Sequence, residues 1–385
     1  MSETVDIPDG SVADDVGDFG NGAGREDATG AARCWVVSNG RAGTQNQALG
    51  LARALKRQLA PQIALSVVIK QIVVDRSLSR MLLGPLLSTA RGRTGALNRL
   101  SPKGHLLRPP FPDLWIAAGN DTVGVTMAVK HANPQTFTIQ TQDPRAPASA
   151  FDCVVPPHHD AIRGPNVLPM IGAPTPLTRQ RIAEERARLD DWFTGVPARY
   201  VTVLLGGNNK RQWISPAQID DLISSLTSLN HEGYGALISG SRRTDARVLT
   251  ILREAFAGQL KKGSVRLIDS ADVEATGFNP YPAILANPAA ILVTEDSVNM
   301  VSEAAMTGRP VYTLGLCGSP GKFRRFHETM RARGITRPFT GTIETWTYAP
   351  FDETARIASA LAKTLKEKGV FDRPTVAPNG DDISV

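Results

Sequence analysis

Three carboxylates (Glu295, Asp296, Glu303) and three hydroxyl or amide side chains (Ser297, Asn299, Ser302) crowd the stretch Thr294–Pro310. The apolar run Ala290–Val293 leads straight into it. That order predicts a buried strand, a polar turn, and a helix capped by Ser297 and closed by Gly308 and Pro310 before a further strand, Val311–Leu314. In open α/β sheets, ligands lie beyond the carboxyl ends of strands, where the first turn of a helix offers unpaired N–H groups to an anion. A helix that needed only to be soluble would not require this mixture in its first turns.

Other polar turns follow apolar runs. Gly206-Gly207-Asn208-Asn209-Lys210 and Ser239-Gly240-Ser241-Arg242-Arg243-Thr244 join the 294–299 turn to bring three strand ends to one edge. Arginines there suit phosphates, and a carboxylate such as Glu303 suits ribose hydroxyls. A solvated first helical turn is the competing explanation for Arg242 and Arg243. Near the start, Ser38-Asn39-Gly40-Arg41-Ala42-Gly43-Thr44-Gln45 follows another apolar run. Its glycines permit positive φ and close backbone approach, either to an anion or sugar or only to make a tight turn. The amides of Gln45, Asn46 and Gln47 favour neutral hydroxyl ligands. The loop is neither a P-loop nor a G-x-G-x-x-G fingerprint. His159 beside Asp160 could act as a general base, or be an internally satisfied loop histidine. Asp143 of Asp143-Pro144-Arg145 is a second candidate base, or the segment is an internal salt-bridged turn. No metal-ligand spacing and no Ser/His/Asp order occurs.

These turns need a scaffold that presents strand ends. Strand and helix patterns alternate: Cys34–Ser38, a helix over Gln45–Leu59, then Ala64–Ile69, Leu114–Ala118, a helix to about His131, Thr136–Gln140 and Cys153–Val155. Leu177–Phe193 reads as one charged helix and Gly195-Val196-Pro197 as a hinge. A second series follows with Tyr200–Leu205, a helix from Ser215-Pro216, and strands at Gly235–Ser239, Val265–Ile268, Ile291–Val293 and Val311–Leu314. The final amphipathic segment, Asp352–Lys368, reads as a helix. The pattern predicts two doubly wound α/β domains with parallel sheets, facing a cleft. Their expected limits are 33–194 and 195–345, preceded by an acidic tail at 1–32 and followed by a helix and tail at 346–385.

The 385 residues suffice for two cores. Three scattered cysteines give no disulfide framework or zinc site. Residues 1–30 hold eight acidic residues and one basic, so the remainder carries +6 − (−7) = +13. Between Arg76 and Arg108 lie seven basic residues and no acidic ones, interleaved with Met81–Leu87. That mixture fits either a packed hairpin with a basic rim or an anionic membrane surface; nucleic acid is not expected. The chain lacks a spanning apolar run and a signal-peptide pattern, so a cytoplasmic protein, in one reading peripheral on the inner membrane, is expected.

The segments Trp35–Gln47, Gln142–Arg145, His159-Asp160 with Gly164-Pro165-Asn166, Asn279-Pro280-Tyr281 and Thr294–Pro310 together resemble the mitochondrial-fission "elongated mitochondria" family, over about residues 33–345. The resemblance implies a GT-B arrangement: two Rossmann-like domains facing a cleft, with a C-terminal helix crossing back. The Ser302-Glu303…Gly308-Arg309-Pro310 pattern is similar to the donor-site helix of GT-B glycosyltransferases and nucleotide-sugar 2-epimerases. It implies Glu303 on a ribose, with Asp296, Ser297, Asn299 and Ser302 near the donor. Gly206, Gly207, Asn208, Ser241 and Arg242 would face its diphosphate. Asn39, Gly40, Gly43, Gln45, Asn46, Gln47 and Arg145 would lie on the acceptor side, with His159 or Asp143 as base. The expected activity is metal-independent sugar transfer from a nucleotide-diphosphate sugar, with no further cofactor. The alternatives are a nucleotide-sugar epimerase and a non-catalytic adaptor of the same shape; no protein partner is identifiable.

Overall fold

A computed structural model describes residues 31–73, 107–209, 211–319 and 321–372. Residues 1–30 of the acidic tail, all of the basic segment except Leu107 and Arg108, and Lys210 therefore lie outside the described residues, and Ala32 already belongs to the first strand.

The first half gives β1 (Ala32–Ser38), α1 (Ala42–Leu59), β2 (Leu65–Gln71), β3 (Leu114–Ala118), α2 (Val123–Ala132), β4 (Phe137–Thr141) and β5 (Cys153–Val155). All five strands are parallel, in the order β2-β1-β3-β4-β5. Every residue of β3 and β4 is buried, because a parallel sheet is covered on both faces. The winding reverses between β1 and β3.

The second half holds α3 (Arg179–Arg188), β6 (Tyr200–Leu205), β7 (Gln212–Trp213), α4 (Pro216–His231), β8 (Gly235–Gly240), α5 (Ala246–Ala255), α6 (Ala257–Lys262) and β9 (Val265–Ile268). It continues with α7 (Ser270–Thr276), α8 (Tyr281–Ile284), β10 (Ala290–Thr294), α9 (Val298–Met306), β11 (Val311–Leu314), β12 (Cys317–Gly318), α10 (Phe323–Ala332), β13 (Thr336–Pro338) and α11 (Glu353–Glu367). Six strands form a parallel sheet in the order β13-β11-β10-β6-β8-β9, whose winding reverses between β6 and β10. This is the Rossmann order, and its reversal marks the crevice where open sheets take ligands.

Local chemistry explains the element ends. Ser215 and Gln218 form a capping box with Pro216 in the first turn of α4. Ser297 Oγ accepts the Met300 amide at 3.4 Å, and Gly308 turns the chain at φ 76° after α9. The predicted helix over 177–193 is shorter: α3 stops at Arg188, and a tight turn at Asp191–Phe193 seats the Phe193 ring in the second core, under the Arg186 guanidinium. The two-residue β7 and β12 pair antiparallel outside both main sheets, too short for any periodicity to announce them.

The chain crosses between the two cores twice. Met170 packs in the first and Leu177 in the second. Gly172 lies between them at φ 87°, so close to α9 that an added Cβ would sit 2.2 Å from Ser302 Oγ. On the return, Phe351 packs on the second core, whereas Ile357, Ala358, Leu361 and Leu365 of α11 join Leu51 and Leu55 of α1 in the first. Two Rossmann-like sheets with a terminal helix crossing back make the GT-B arrangement.

Candidate functional site

The crevice at the reversal between β6 and β10 is a small open cleft, lined by Gly206, Gly207, Asn208, Thr244, Thr294 and Asp296 among others. Its floor is held from below. Asp296 has a fully buried side chain that accepts from Thr294 Oγ1 at 2.8 Å and from the Gly207 amide at 3.1 Å. It also pairs with Arg243 at 2.7 Å. Thr294 Oγ1 in turn accepts the Gly206 amide at 2.7 Å. The two glycines are dictated by this bracing: a Cβ on Gly206 would stand 2.1 Å from Asp296 Oδ1, and one on Gly207 1.8 Å from the Arg243 carbonyl oxygen. Asn208 stays exposed at the rim, its Oδ1 accepting the Ile214 amide.

The other donor-side residues fall into two sets. Ser241 shapes the β8 turn, with Oγ accepting the Arg243 amide at 3.2 Å and its own amide donating to Thr244 Oγ1 at 2.8 Å. Arg242 instead points to Glu274 across 3.7 Å, exposed on both sides. Glu295 accepts from Gln212 Nε2 at 2.9 Å and the Leu316 amide at 3.1 Å. All three carboxylates of the 294–310 motif are therefore engaged within the protein, which resolves how so much negative charge sits at one turn. Arg243, rather than Arg242, neutralises Asp296, whereas Glu295 and Glu303 meet neutral donors.

Glu303 lies just over a turn into α9, buried, with one oxygen accepting from Tyr281 Oη at 2.5 Å and the other from Thr175 Oγ1 at 3.2 Å. Burial raises its carboxyl from 4.5 to about 6, and the two hydroxyls limit the rise. Ser302 meets the same crossing segment, donating to the Val298 carbonyl at 2.7 Å and accepting the Ala173 amide at 3.2 Å. It anchors the crossing strand.

Across the cleft, the first helix meets α9 directly. Gln47 Nε2 donates to Asn299 Oδ1 at 2.9 Å, and Asn299 Nδ2 reaches the Gly43 carbonyl at 3.4 Å. Gln142 Nε2 donates to Gln47 Oε1 at 2.8 Å, from a backbone held at φ 68°. A bulky residue at positive φ is uncommon and concentrates at functional sites. Three residues from three distant parts of the chain thus form one amide chain across the domain gap. The remaining acceptor-side residues stay within the first domain. Asn39 Nδ2 bonds Asp121 at 2.8 Å, Gln45 Oε1 accepts from Ser38 and Gln71, and Gly40 turns beside Gln71 at φ 76°. Asn46 and Arg145 are exposed.

The two candidate bases are placed differently. Asp143 follows Gln142, half-buried, its Oδ1 accepting the Arg145 amide at 2.8 Å. The His159 ring is enclosed, with Phe323 and Phe326 edge-on at 5.7 and 6.5 Å. Neither of its nitrogens has a hydrogen-bond partner among the described residues. Desolvation outweighs the neighbouring Asp160 and lowers its pKa to about 4, so the ring is neutral near pH 7. Asp160 itself pairs with Lys322 at 2.9 Å.

Gln142, Thr175 and Tyr281 complete the site without having been singled out as site residues. Gln142 and Tyr281 stand in the motifs that carried the resemblance; Thr175 had no sequence signal, because only the crossing of the chain brings it to α9. No group of three or more His, Cys, Asp or Glu able to hold a metal occurs among the described residues. No helix there is long and apolar enough to cross a membrane.

A family model described as mitochondrial fission ELM1 matches residues 42–365. The mitochondrial fission protein ELM1 of Arabidopsis thaliana is 26% identical, covering 88% of this chain and 92% of its own. An uncharacterized protein of Rickettsia prowazekii is also 26% identical, over 66% of this chain and 80% of its own. Among solved structures, the UDP-GlcNAc 2-epimerase of Methanocaldococcus jannaschii superposes with a TM-score of 0.47 at 12% identity, covering 86% of this chain and 99% of its own. A score that low decides nothing about function.

Proposed function

The chain belongs to the mitochondrial fission ELM1 family, and on that footing we propose that its cleft binds a nucleotide-diphosphate sugar and transfers the sugar to an acceptor held by the first domain. The observation that carries this reading is the position of the cleft. It opens at the winding reversal between β6 and β10, and the first turn of α9 lies beside it, meeting the first domain through Asn299. The Val298 and Asn299 amides of that turn have no intrahelical acceptor, the Met300 amide being taken by Ser297 Oγ, and suit a diphosphate leaving group without a metal. Ser297, Asn299, Asn208 and Ser241 would contact the donor, Glu303 its ribose, and Asp296 would act through the glycine loop and Arg243. Gln47 and Gln142 would meet the acceptor. Asp143 is the base favoured by placement, since His159 is enclosed.

Calorimetric titration and thermal unfolding of the full chain with nucleoside diphosphates and their sugars test the reading. Ligand at 100 times its Kd should stabilise the fold by roughly 2.7 kcal/mol. Metal-free release or transfer of the sugar should follow and be lost in Glu303→Ala. Absence of saturable binding by every nucleotide at millimolar concentration would sink it. Interconversion of the donor sugars with no acceptor would instead indicate an epimerase.

A second reading has its own support. Asp296, Glu295 and Glu303 are all internally satisfied, and Gln47–Asn299 already spans the gap. A scaffold that kept the cleft without turnover would look the same, and it predicts no donor breakdown even where a nucleotide binds. Work beside an anionic membrane belongs to the same proposal, supported by the +13 charge of residues 31–385. Flotation with phosphatidylglycerol vesicles at low salt, and none with neutral vesicles, is the expected result; equal behaviour with both would refute it.

A further inference from the structure

A ribose presents two neighbouring hydroxyls, and a carboxylate that recognises it accepts one on each oxygen. Glu303 already has that arrangement from within the protein, with Tyr281 Oη on one oxygen at 2.5 Å and Thr175 Oγ1 on the other at 3.2 Å. The two donors are not equally fixed. Thr175 Oγ1 also accepts the Leu177 amide at 3.2 Å, and its backbone N–H is tied to Thr354 Oγ1 at 3.1 Å, so its hydroxyl is pinned by the crossing segment. The Tyr281 hydroxyl has no other hydrogen bond among the described residues; its ring is half-buried against the second core and its phenol end is enclosed beside Glu303. Tyr281 sits on the four-residue α8, directly after the loop Gly277–Pro280, where Phe278 is 39% exposed. A turn of the Tyr281 side chain alone would free Glu303 while Pro282, Ala283 and Ile284 of α8 stay packed in the second core.

We propose that Tyr281 is a displaceable internal substitute for a ribose hydroxyl, which holds Glu303 while the cleft is empty and leaves when a ribonucleotide arrives. It thereby sets the affinity threshold for the nucleotide and makes it depend on the ribose hydroxyl that takes the place of Tyr281 Oη. This inference rests on the nucleotide reading above. An acceptor on a buried carboxylate is not left empty at low cost, since hydrogen bonds to charged groups are among the stronger ones. The phenol removes that cost in the free protein and becomes a competitor in the bound one.

The test is calorimetric titration of the full chain and of Tyr281→Phe with UDP, ADP and GDP and with their 2′-deoxy counterparts. At least one ribonucleotide should bind both proteins, roughly tenfold tighter to Tyr281→Phe, with the deoxy forms weaker in each. Unchanged or weaker binding to the variant, or equal binding of ribo and deoxy forms, overturns the inference and leaves the nucleotide reading standing. No binding by either protein removes both. Should Tyr281→Phe fail to fold, the full chain labelled with 3-fluorotyrosine has only five tyrosines to resolve. Phenylalanine variants at the other four assign Tyr281 by elimination. A saturating ribonucleotide must then move its fluorine signal; an unmoved signal overturns the proposal.

Discussion

Replacing Glu303 by Gln removes one proton-binding site from the core while keeping its shape, and the pH dependence of the effect follows from burial. The carboxyl titrates at about 6 in the folded chain against 4.5 when free. A group with a raised folded pKa binds its proton more tightly in the folded state. Its contribution to folding is therefore fully present below the unfolded pKa and is lost as pH rises through the folded one. Each pH unit of separation is worth about 1.36 kcal/mol, so a separation of about 1.5 gives about 2 kcal/mol. The stability of the natural chain minus that of Glu303→Gln should fall by most of this between about pH 4 and pH 7, then stay level. Urea unfolding of both proteins across that range, with a shared m-value, measures the difference, and titrations elsewhere cancel. A difference that is flat or rises with pH would refute the claim that a buried carboxyl with hydroxyl partners lies at the heart of the site. The same ionisation bears on ligands: a protonated Glu303 accepts fewer hydroxyls, so nucleotide affinity should weaken below about pH 6.

Five further outcomes are expected. Gly206→Ala and Gly207→Ala should each cost about 2–3 kcal/mol in urea unfolding, because the new methyl meets Asp296 or the Arg243 carbonyl. Gly258→Ala in α6, where a Cβ meets nothing within 4 Å, should gain roughly 0.5–1 kcal/mol. Asp296→Ala should cost about 2 kcal/mol, since it strands the Gly207 amide and the Thr294 hydroxyl while the half-exposed Arg243 recovers solvent. His159→Phe should be neutral or stabilising by up to about 1 kcal/mol, because both ring nitrogens are buried without partners; a large loss in a melting experiment would mean that a water or ligand satisfies them. Asn299→Ala should cost no more than about 1 kcal/mol yet raise the radius of gyration in solution scattering, as the amide chain from Gln142 through Gln47 lets go.

Much of the scaffold was legible because it is periodic. Buried parallel strands read as unbroken apolar runs, and caps such as Ser215-Pro216 and Ser297 carry their own chemistry. The polar turns were legible as well, since glycine, serine and acidic residues have no reason to follow a buried strand unless the backbone there is specialised. What could not be read was the direction each polar side chain takes. Asp296 and Glu295 look like ligand-facing carboxylates in sequence, and in the structure they brace backbone amides. Arg242 and Arg243 are adjacent and alike, but only one reaches the cleft floor, because neighbouring residues in a turn leave it on different sides. The pairing of Gln47 with Asn299 spans 252 positions and depends on how two domains meet, which no local pattern encodes. Short pieces such as β7 and β12 escaped for the plainer reason that two residues have no period.

The returning helix α11 has a bearing on how the molecule comes to exist during synthesis. Ile357, Leu361 and Leu365 complete the hydrophobic centre built around β1 and α1, yet they are made just over two hundred residues after β5. At typical elongation rates that is a wait of roughly 10–40 s. Throughout it, the first sheet to leave the ribosome carries an uncovered apolar seam along Leu51 and Leu55, while the second sheet can close around residues already made. The later half should therefore be the earlier to reach its native packing, and a nascent chain stalled before Glu353 should bind chaperones through its amino-terminal sheet.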